Sequence, residues 1–161
     1  MSYPVKYAKK EVKEPNGNYS LFVPKDWEAK FEYTQYNNSE VIVFQAISIV
    51  KENGNFSGIS IVETLTDKKD LKSQFDFFLD KYNNSFFSVL DSGKTNIFDT
   101  NSYFIQTEVA NAESFDFIVE SGKENIFYLI NISTPKGKNQ KHKMSMMLSC
   151  LKTFKILNPN S

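Results

Sequence analysis

The segment FDFIVESGKENIFYLINIS, residues 115–133, decides the fold of this chain. Phe115, Phe117 and Val119 alternate against Asp116 and Glu120, as in a half-buried strand. Residues 121–124 are polar and favour a turn, and residues 125–133 are almost continuously apolar, as in a buried strand. Because two strands joined by so short a turn run antiparallel, the segment predicts a hairpin within an antiparallel sheet.

Further strands are predicted on the N-terminal side of this hairpin. They are Tyr19–Val23, Glu28–Thr34, Val41–Val50, Ser57–Thr64, Phe86–Leu90, Lys94–Phe98 and Ser102–Ala110. Val41–Val50 is nearly unbroken in apolar and β-branched residues, which is typical of a central strand covered on both faces. Pro24 ends the first strand, and we expect Trp27 in the following turn to fold back on the core.

Two segments change to a period of 3.6 residues and predict amphipathic helices. The first covers residues 70–82, with Asp67 or Asp70 available as its N-cap, and the second covers roughly residues 139–151. Their apolar stripes are Leu71, Phe75, Phe78, Leu79 and Tyr82 in the first, and Met144, Met147, Leu148 and Leu151 in the second. This order of elements predicts an α+β sandwich, in which a central, mostly antiparallel sheet is covered by helices.

Length and composition favour one domain. The chain has 161 residues, of which 40% are hydrophobic, enough for a single core. We interpret residues 1–17 as a polar lead-in, 18–157 as the domain and 158–161 as a tail. No run approaches the ~18 apolar residues of a membrane span. Localisation stays open: cytoplasmic if Met1 is the native start, extracytoplasmic if a signal sequence was removed.

The charge pattern argues against a nucleic-acid partner. The chain contains no arginine, and its 19 cations balance 19 acidic groups. Nucleic-acid surfaces normally use arginine beside lysine. Mild lysine clusters at 6–13 and 136–143 therefore favour solvated faces over phosphate or membrane binding. The abundant aromatic residues follow strand and helix periods, which predicts core packing and not a stacking platform for bases.

Residues that carry catalytic and metal chemistry are scarce. His142 and Cys150 are the only histidine and cysteine. On one helix their spacing gives about 12 Å of rise, too far for a dyad. We expect His142 at the surface between two lysines, and Cys150 buried as a small apolar side chain. One His and one Cys cannot supply a zinc site, and no phosphate-loop or nucleophile-elbow spacing occurs. The sequence predicts no catalytic, cofactor or metal site.

Two weaker possibilities involve carboxylates. Asp80, Asn83 and Asn84 at the end of the first helix could bind calcium, but they lack regular acid spacing, which favours helix capping. Carboxylates that meet only in space stay possible, so a hydrolase with dispersed carboxylates is one alternative function.

Two large apolar residues break the helical patterns and form the candidate partner surface. Phe77 lies off the apolar stripe of the first helix, and Met146 is similarly displaced on the second. Exposed apolar groups on helices can mark binding surfaces, and methionine suits adaptable ones. The alternative is that these side chains pack under a loop or stand as isolated surface residues.

Several stretches resemble the PsbP-like domain family. They are GNYSLFVPKDW (17–27), GISIV (58–62), SGKTNI (92–97), SYFI (102–105), FYLINIST (127–134) and LKTFKIL (151–157). The resemblance implies an antiparallel sheet between helices. It also implies function by protein binding, as in the photosystem II extrinsic subunit, bacterial PsbP-like and DcrB-like envelope proteins, a Ran-binding nuclear transport factor and the Eag chaperones of type VI secretion.

The sequence therefore predicts a non-enzymatic protein-binding accessory, adaptor or chaperone module. The main alternative is an extracytoplasmic protein that binds a small ligand or ion between sheet and helix. We expect a protein partner, no cofactor and no nucleic acid, while the partner's identity and the oligomeric state stay open.

Overall fold

The computed structural model describes residues 7–36, 39–48, 54–66 and 70–157. The strands are β1 (Lys10–Lys13), β2 (Tyr19–Val23), β3 (Glu28–Tyr36), β4 (Ser39–Ile47), β5 (Gly58–Leu65), β6 (Ser88–Lys94), β7 (Ser102–Val109), β8 (Ala112–Glu120), β9 (Ile126–Pro135) and β10 (Lys155–Ile156). The helices are α1 (Leu71–Asn83) and α2 (Gln140–Leu151).

Two antiparallel sheets form the framework. The larger has the order β3-β4-β5-β9-β8-β7-β6, and the smaller has the order β1-β2-β10. Residues 115–133 form the hairpin of β8 and β9, in which Ile118 lies opposite Leu129. The predicted α+β sandwich with an antiparallel sheet is confirmed.

The two faces of the large sheet carry separate cores, because successive side chains on a strand point to opposite faces. Tyr128, Ile130 and Ile132 of β9 belong to the larger core, which includes residues of α2 and β2. Phe127 and Leu129 of the same strand belong to the core under α1. The sheet is thus covered by α1 on one face, and by α2 with the small sheet on the other.

Helix α1 begins where the sequence predicts. The Asp70 side chain accepts a hydrogen bond from the Ser73 backbone N–H at 2.8 Å, which satisfies one of the free donors of the first turn. Its apolar stripe packs on β6, β7 and β8, and the Phe75 ring stacks on Tyr103 at 4.7 Å between centroids. Trp27 is buried, as expected.

Some details differ from the expectations. In β4 the side chains of Val43 and Ile47 are half-exposed, so the prediction of a strand covered on both faces is wrong. The reason is that α1 lies over β6–β8 and leaves this part of the sheet open. The predicted strands Phe86–Leu90 and Lys94–Phe98 are replaced by one strand, β6, which has a bulge between Val89 and Asp91 and stays paired with β7 up to Lys94.

The predicted lead-in, residues 1–17, contains β1, which pairs with β2 from Lys10 opposite Val23 to Lys13 opposite Ser20. The boundaries of the lead-in, domain and tail stay predictions. Met1, Lys6, the strand end at 49–50, Asp67 and the tail at 158–161 lie outside the described residues.

Burial predicts how strongly two matched leucines contribute to stability. Leu151 in α2 is fully buried, whereas Leu90 in β6 is 48% exposed. We expect Leu151→Ala to lower the free energy of unfolding by about 2–5 kcal/mol, because it leaves a cavity in the larger core. Leu90→Ala should lower the free energy of unfolding by well under half of that amount. Urea denaturation of both variants measures the difference, and equal losses would contradict this assignment of the core.

Candidate functional site

The outward side of α1 carries an exposed aromatic residue. Phe77 is 48% exposed, opposite the stripe that packs on the sheet. Its ring contacts Phe78 edge-on at 5.6 Å, and the Lys81 ammonium lies 5.9 Å from the ring centroid. These neighbours hold the ring in place while leaving much of it open to a partner.

Two more exposed apolar side chains follow α1 along the chain. Phe86, in the connection to β6, is 85% exposed, and Leu90 lies at the bulge of β6. Leu90 is the extra residue of the bulge in an edge strand that packs against α1 through its neighbour Val89. We call Phe77 and Phe86 the α1 surface. Exposed large apolar side chains on neighbouring elements are typical of protein-binding surfaces.

A chain of contacts connects the α1 surface to the interior. The Phe86 ring stacks on Phe87 at 4.8 Å, and Phe87 meets Tyr82 edge-on at 5.3 Å. The Tyr82 hydroxyl donates a hydrogen bond to Asp116 Oδ2, and Asn131 Nδ2 donates to Asp116 Oδ1 at 2.7 Å. Both carboxylate oxygens of this buried group are therefore used to fix the last turn of α1 to β8 and β9.

Burial is the main influence on the pKa values of Asp116 and Tyr82. It raises the pKa of Asp116, while the hydrogen bonds from Tyr82 and Asn131 act in the opposite direction. Burial and the neighbouring Asp116 also raise the pKa of Tyr82. The strand period places Asp116 on the polar face of its strand and predicts no such network. The available signal was that Asp116 and Asn131 interrupt two apolar strands, which the structure pairs in register.

A second polar region is a cleft of about 390 Å³ at one end of the large sheet. We call it the acidic cleft. It is lined by Asn16, Asn18, Glu40, Val41, Ile42, Glu63, Leu65 and Lys123. These residues come from the β1–β2 turn, the start of β4, the end of β5 and the loop after β8.

The two residues of the predicted partner surface differ in exposure. Phe77 is exposed as expected, but the expected exposure of Met146 is wrong, because this side chain is only 5% exposed. Helix α2 packs against both β9 and β2, and Met146 lines a cavity with Tyr7, Pro24 and Trp27. Met146 thus packs beneath the turn after β2, the alternative considered for it.

The other singled-out residues have structural roles. His142 is exposed and meets the Tyr7 ring edge-on at 5.4 Å. Cys150 is fully buried, and burial raises the pKa of its thiol to about 12. Asn84 Nδ2 donates to the Asp80 carbonyl at 2.8 Å, which confirms capping at this helix end. Within the described ranges, no group of three or more His, Cys, Asp or Glu side chains is placed to hold a metal ion.

In the described part of the chain, no helix combines the length and the apolar character needed to cross a bilayer.

Solved structures with a similar fold include the Ran-binding protein Mog1p of Saccharomyces cerevisiae. That match has a TM-score of 0.58 and 13% identity, and it covers 92% of this chain and 95% of Mog1p. A Bacteroides thetaiotaomicron protein matches with a TM-score of 0.54 and 14% identity. That match covers 92% of this chain but only 48% of the Bacteroides protein. A glutamate-to-alanine mutant of Mog1 matches with a TM-score of 0.51 and 14% identity, over 92% of this chain and 95% of the mutant.

The predicted assignment to the PsbP-like family is wrong. No family model matches the chain, PsbP-like or other. No curated protein matches it either. The named structures that do match are Mog1 proteins, and at 13–14% identity they show the fold alone. The quoted stretches are apolar strand and turn positions, which many sequences of one fold share.

The Tyr82–Asp116 hydrogen bond predicts a pH-dependent effect on stability. Because the folded-state pKa of Asp116 is raised, protonation favours the folded state, and that contribution is lost as pH rises through this pKa. Tyr82→Phe removes a bond that lowers the pKa, so the variant's Asp116 pKa rises further. We expect a loss of about 1–3 kcal/mol at neutral pH and a smaller loss at acidic pH.

Urea denaturation at both pH values measures this effect. Tyr33→Phe is the matched control, since it removes the hydroxyl of an exposed tyrosine on β3. A Tyr82→Phe loss that is independent of pH, or equal to that of the control, would contradict the proposed network.

The burial of Cys150 predicts its reactivity. A thiol with a pKa near 12 is almost fully protonated at neutral pH, and thiolate is the reactive form. We expect iodoacetamide to label the folded protein very slowly and the urea-unfolded protein quickly. Mass spectrometry of timed samples measures both rates; rapid labelling of the folded chain would show that the thiol is accessible.

Proposed function

We propose that this chain is a non-enzymatic, protein-binding accessory module that contacts its partner through the α1 surface. The observation that carries the proposal is the exposure of Phe77 on α1 and of Phe86 in the connection after it, next to the last helix turn, which Tyr82 and Asp116 fix to the sheet. A rigid apolar surface loses little conformational entropy on binding, which favours specific association.

The fold likeness supports the same class of function. Mog1p is described as a Ran-binding protein, and its match extends over 95% of its length. Fold alone does not transfer a partner. We therefore propose protein binding as the common feature and leave the partner of this chain to experiment.

The roles of the potential catalytic groups support a non-enzymatic module. Asp116 uses both carboxylate oxygens in structural hydrogen bonds, and Cys150 is buried in the larger core. Two other carboxylates, Glu14 and Glu63, interact electrostatically near the acidic cleft, and a hydrolase with dispersed carboxylates would need such a pair open to its substrate. Of these, Glu14 is only 2% exposed, so Glu63 alone of the two lines the cleft.

The test is a comparison of matched variants. A tagged chain is expressed in its native host, and proteins recovered with the wild type are compared with those recovered with Phe77→Lys, Phe86→Lys and Phe56→Lys. Phe56 is 43% exposed, precedes β5 and is not part of the α1 surface, so Phe56→Lys controls for adding a lysine at an exposed phenylalanine. We expect a partner that Phe77→Lys and Phe86→Lys lose and Phe56→Lys keeps.

A binding titration with the purified partner then measures how much each substitution weakens the complex. We expect the dissociation constant to rise roughly tenfold or more for Phe77→Lys, as for a central apolar contact. Unchanged thermal unfolding of the variants checks that the fold is intact. A partner that binds all three variants equally would refute the α1 surface, and recovery of no specific partner would refute the proposed function.

A further inference from the structure

The acidic cleft carries more negative than positive charge. Glu40 and Glu63 line it, and Lys123 is the one cation among its described lining residues. The Lys123 ammonium donates a hydrogen bond to Asn18 Oδ1 at 2.7 Å, which directs it to the wall of the cleft. Neither Glu63 nor Glu40 forms an ion pair within 4 Å with any residue in the described ranges.

Two buried polar atoms next to this cleft have no hydrogen-bond partner. They are Glu14 Oε1 and the Tyr128 hydroxyl, and no other buried side-chain atom of the described residues shares this property. Glu14 Oε2 accepts hydrogen bonds from the backbone amides of Asn16 at 3.0 Å and Asn18 at 2.9 Å, both cleft residues. Neither side chain lines the cleft, but Glu14 holds the turn that carries two of the lining residues.

The electrostatics agree with this geometry. The Glu63 carboxylate interacts electrostatically with Glu14 and with the Tyr128 hydroxyl. Burial raises the pKa of Glu63; Lys123 opposes this effect and Glu14 adds to it. A second cation in the cleft would relieve the repulsion between the two carboxylates and stabilise the ionised form of Glu63.

Beside its charged residues and two asparagines, the cleft has three apolar lining residues, Val41, Ile42 and Leu65. Leu65 is 57% exposed beside Glu63, and Ile42 on β4 lies opposite the exposed Tyr33 on β3. Lysine and arginine side chains bury an aliphatic stem on apolar surface while their charged group meets a carboxylate. A cleft of about 390 Å³ with both surfaces is large enough for one such side chain.

We propose that the acidic cleft binds the cationic side chain of a lysine or arginine carried by a partner protein, with Glu63 as its main ionic contact and Leu65 and Ile42 against its stem. This adds to the proposed function a second contact of defined chemistry, and it rests on that function only in that a protein carries the cation. Glu14 behind the wall adds negative potential and holds the turn that presents Asn16 and Asn18.

The experiment is an amide chemical-shift titration of the full-length, ¹⁵N-labelled chain with capped glycyl-arginyl-glycine amide. A second cationic probe has lysine in place of arginine, and the neutral probe has citrulline, which keeps the shape of arginine and removes its charge. We expect saturable chemical-shift changes at the amides of Asn18, Glu63, Leu65 and Lys123 with both cationic tripeptides. The citrulline tripeptide should cause no changes of comparable size. High salt should weaken the binding.

Matched variants identify the ionic contact. Glu63→Gln should weaken binding of the arginine tripeptide roughly tenfold, whereas Glu28→Gln, an exposed carboxylate on β3 outside the cleft, should leave it unchanged. Lys123→Gln should strengthen it severalfold, because it removes the opposing cation and keeps a donor for Asn18. This second variant keeps the test decisive if Glu63→Gln unfolds.

Several outcomes would overturn the proposal. They are equal binding of the citrulline peptide, shifts that map outside the cleft, equal effects of Glu63→Gln and Glu28→Gln, and tighter binding of spermidine or calcium at the same amides. The last result would assign the cleft to a free polyamine or a metal ion. Failure of this titration leaves the test at the α1 surface unaffected, so the two proposals can fail separately.

Discussion

The pairing of β9 with both β5 and β8 is the constraint on which the rest of the structure depends. This strand is central in the seven-stranded sheet, and both of its faces are used. Tyr128, Ile130 and Ile132 pack with α2 and the small sheet, while Phe127 and Leu129 pack with α1. A register shift of one residue would exchange the two sets and expose Asn131 to the larger core. The register of β9 therefore positions both helices at once.

The width of the large sheet explains why the molecule has distinct surfaces. Seven strands about 4.8 Å apart span roughly 30 Å, whereas a helix with its side chains is only about 10–12 Å wide. One helix can thus cover the β6–β8 half of a face but not the β3–β5 half. The half-exposed side chains of β4 follow from this mismatch. The acidic cleft lies on the opposite face, because Glu63 follows Ile59 and Ile61 on the side of β5 that carries the larger core.

The two proposed contacts differ in physical character and so would contribute differently to binding. The α1 surface offers apolar area, which contributes mainly to affinity. The acidic cleft offers a charge, which contributes more to partner selection and to the rate of encounter. The two surfaces are also held in place by different interactions. Tyr82 and Asp116 brace α1 with hydrogen bonds to buried groups, whereas Glu14 holds a turn and leaves one oxygen unpaired beside the cleft.

Local pattern in the sequence determined the elements: the β8–β9 hairpin, the apolar stripe of α1, its Asp70 cap and the α+β class. Each depends on neighbours within a few residues or on one period of side-chain direction. Burial across elements was decided only by the tertiary structure. Met146 looked exposed because a helix was assumed to have one packed side, but α2 packs against both sheets. Asp116 looked solvent-facing because the helix above it is distant in sequence, and the acidic cleft joins four chain segments. Such sites depend on long-range packing, which period and spacing along a single chain cannot encode.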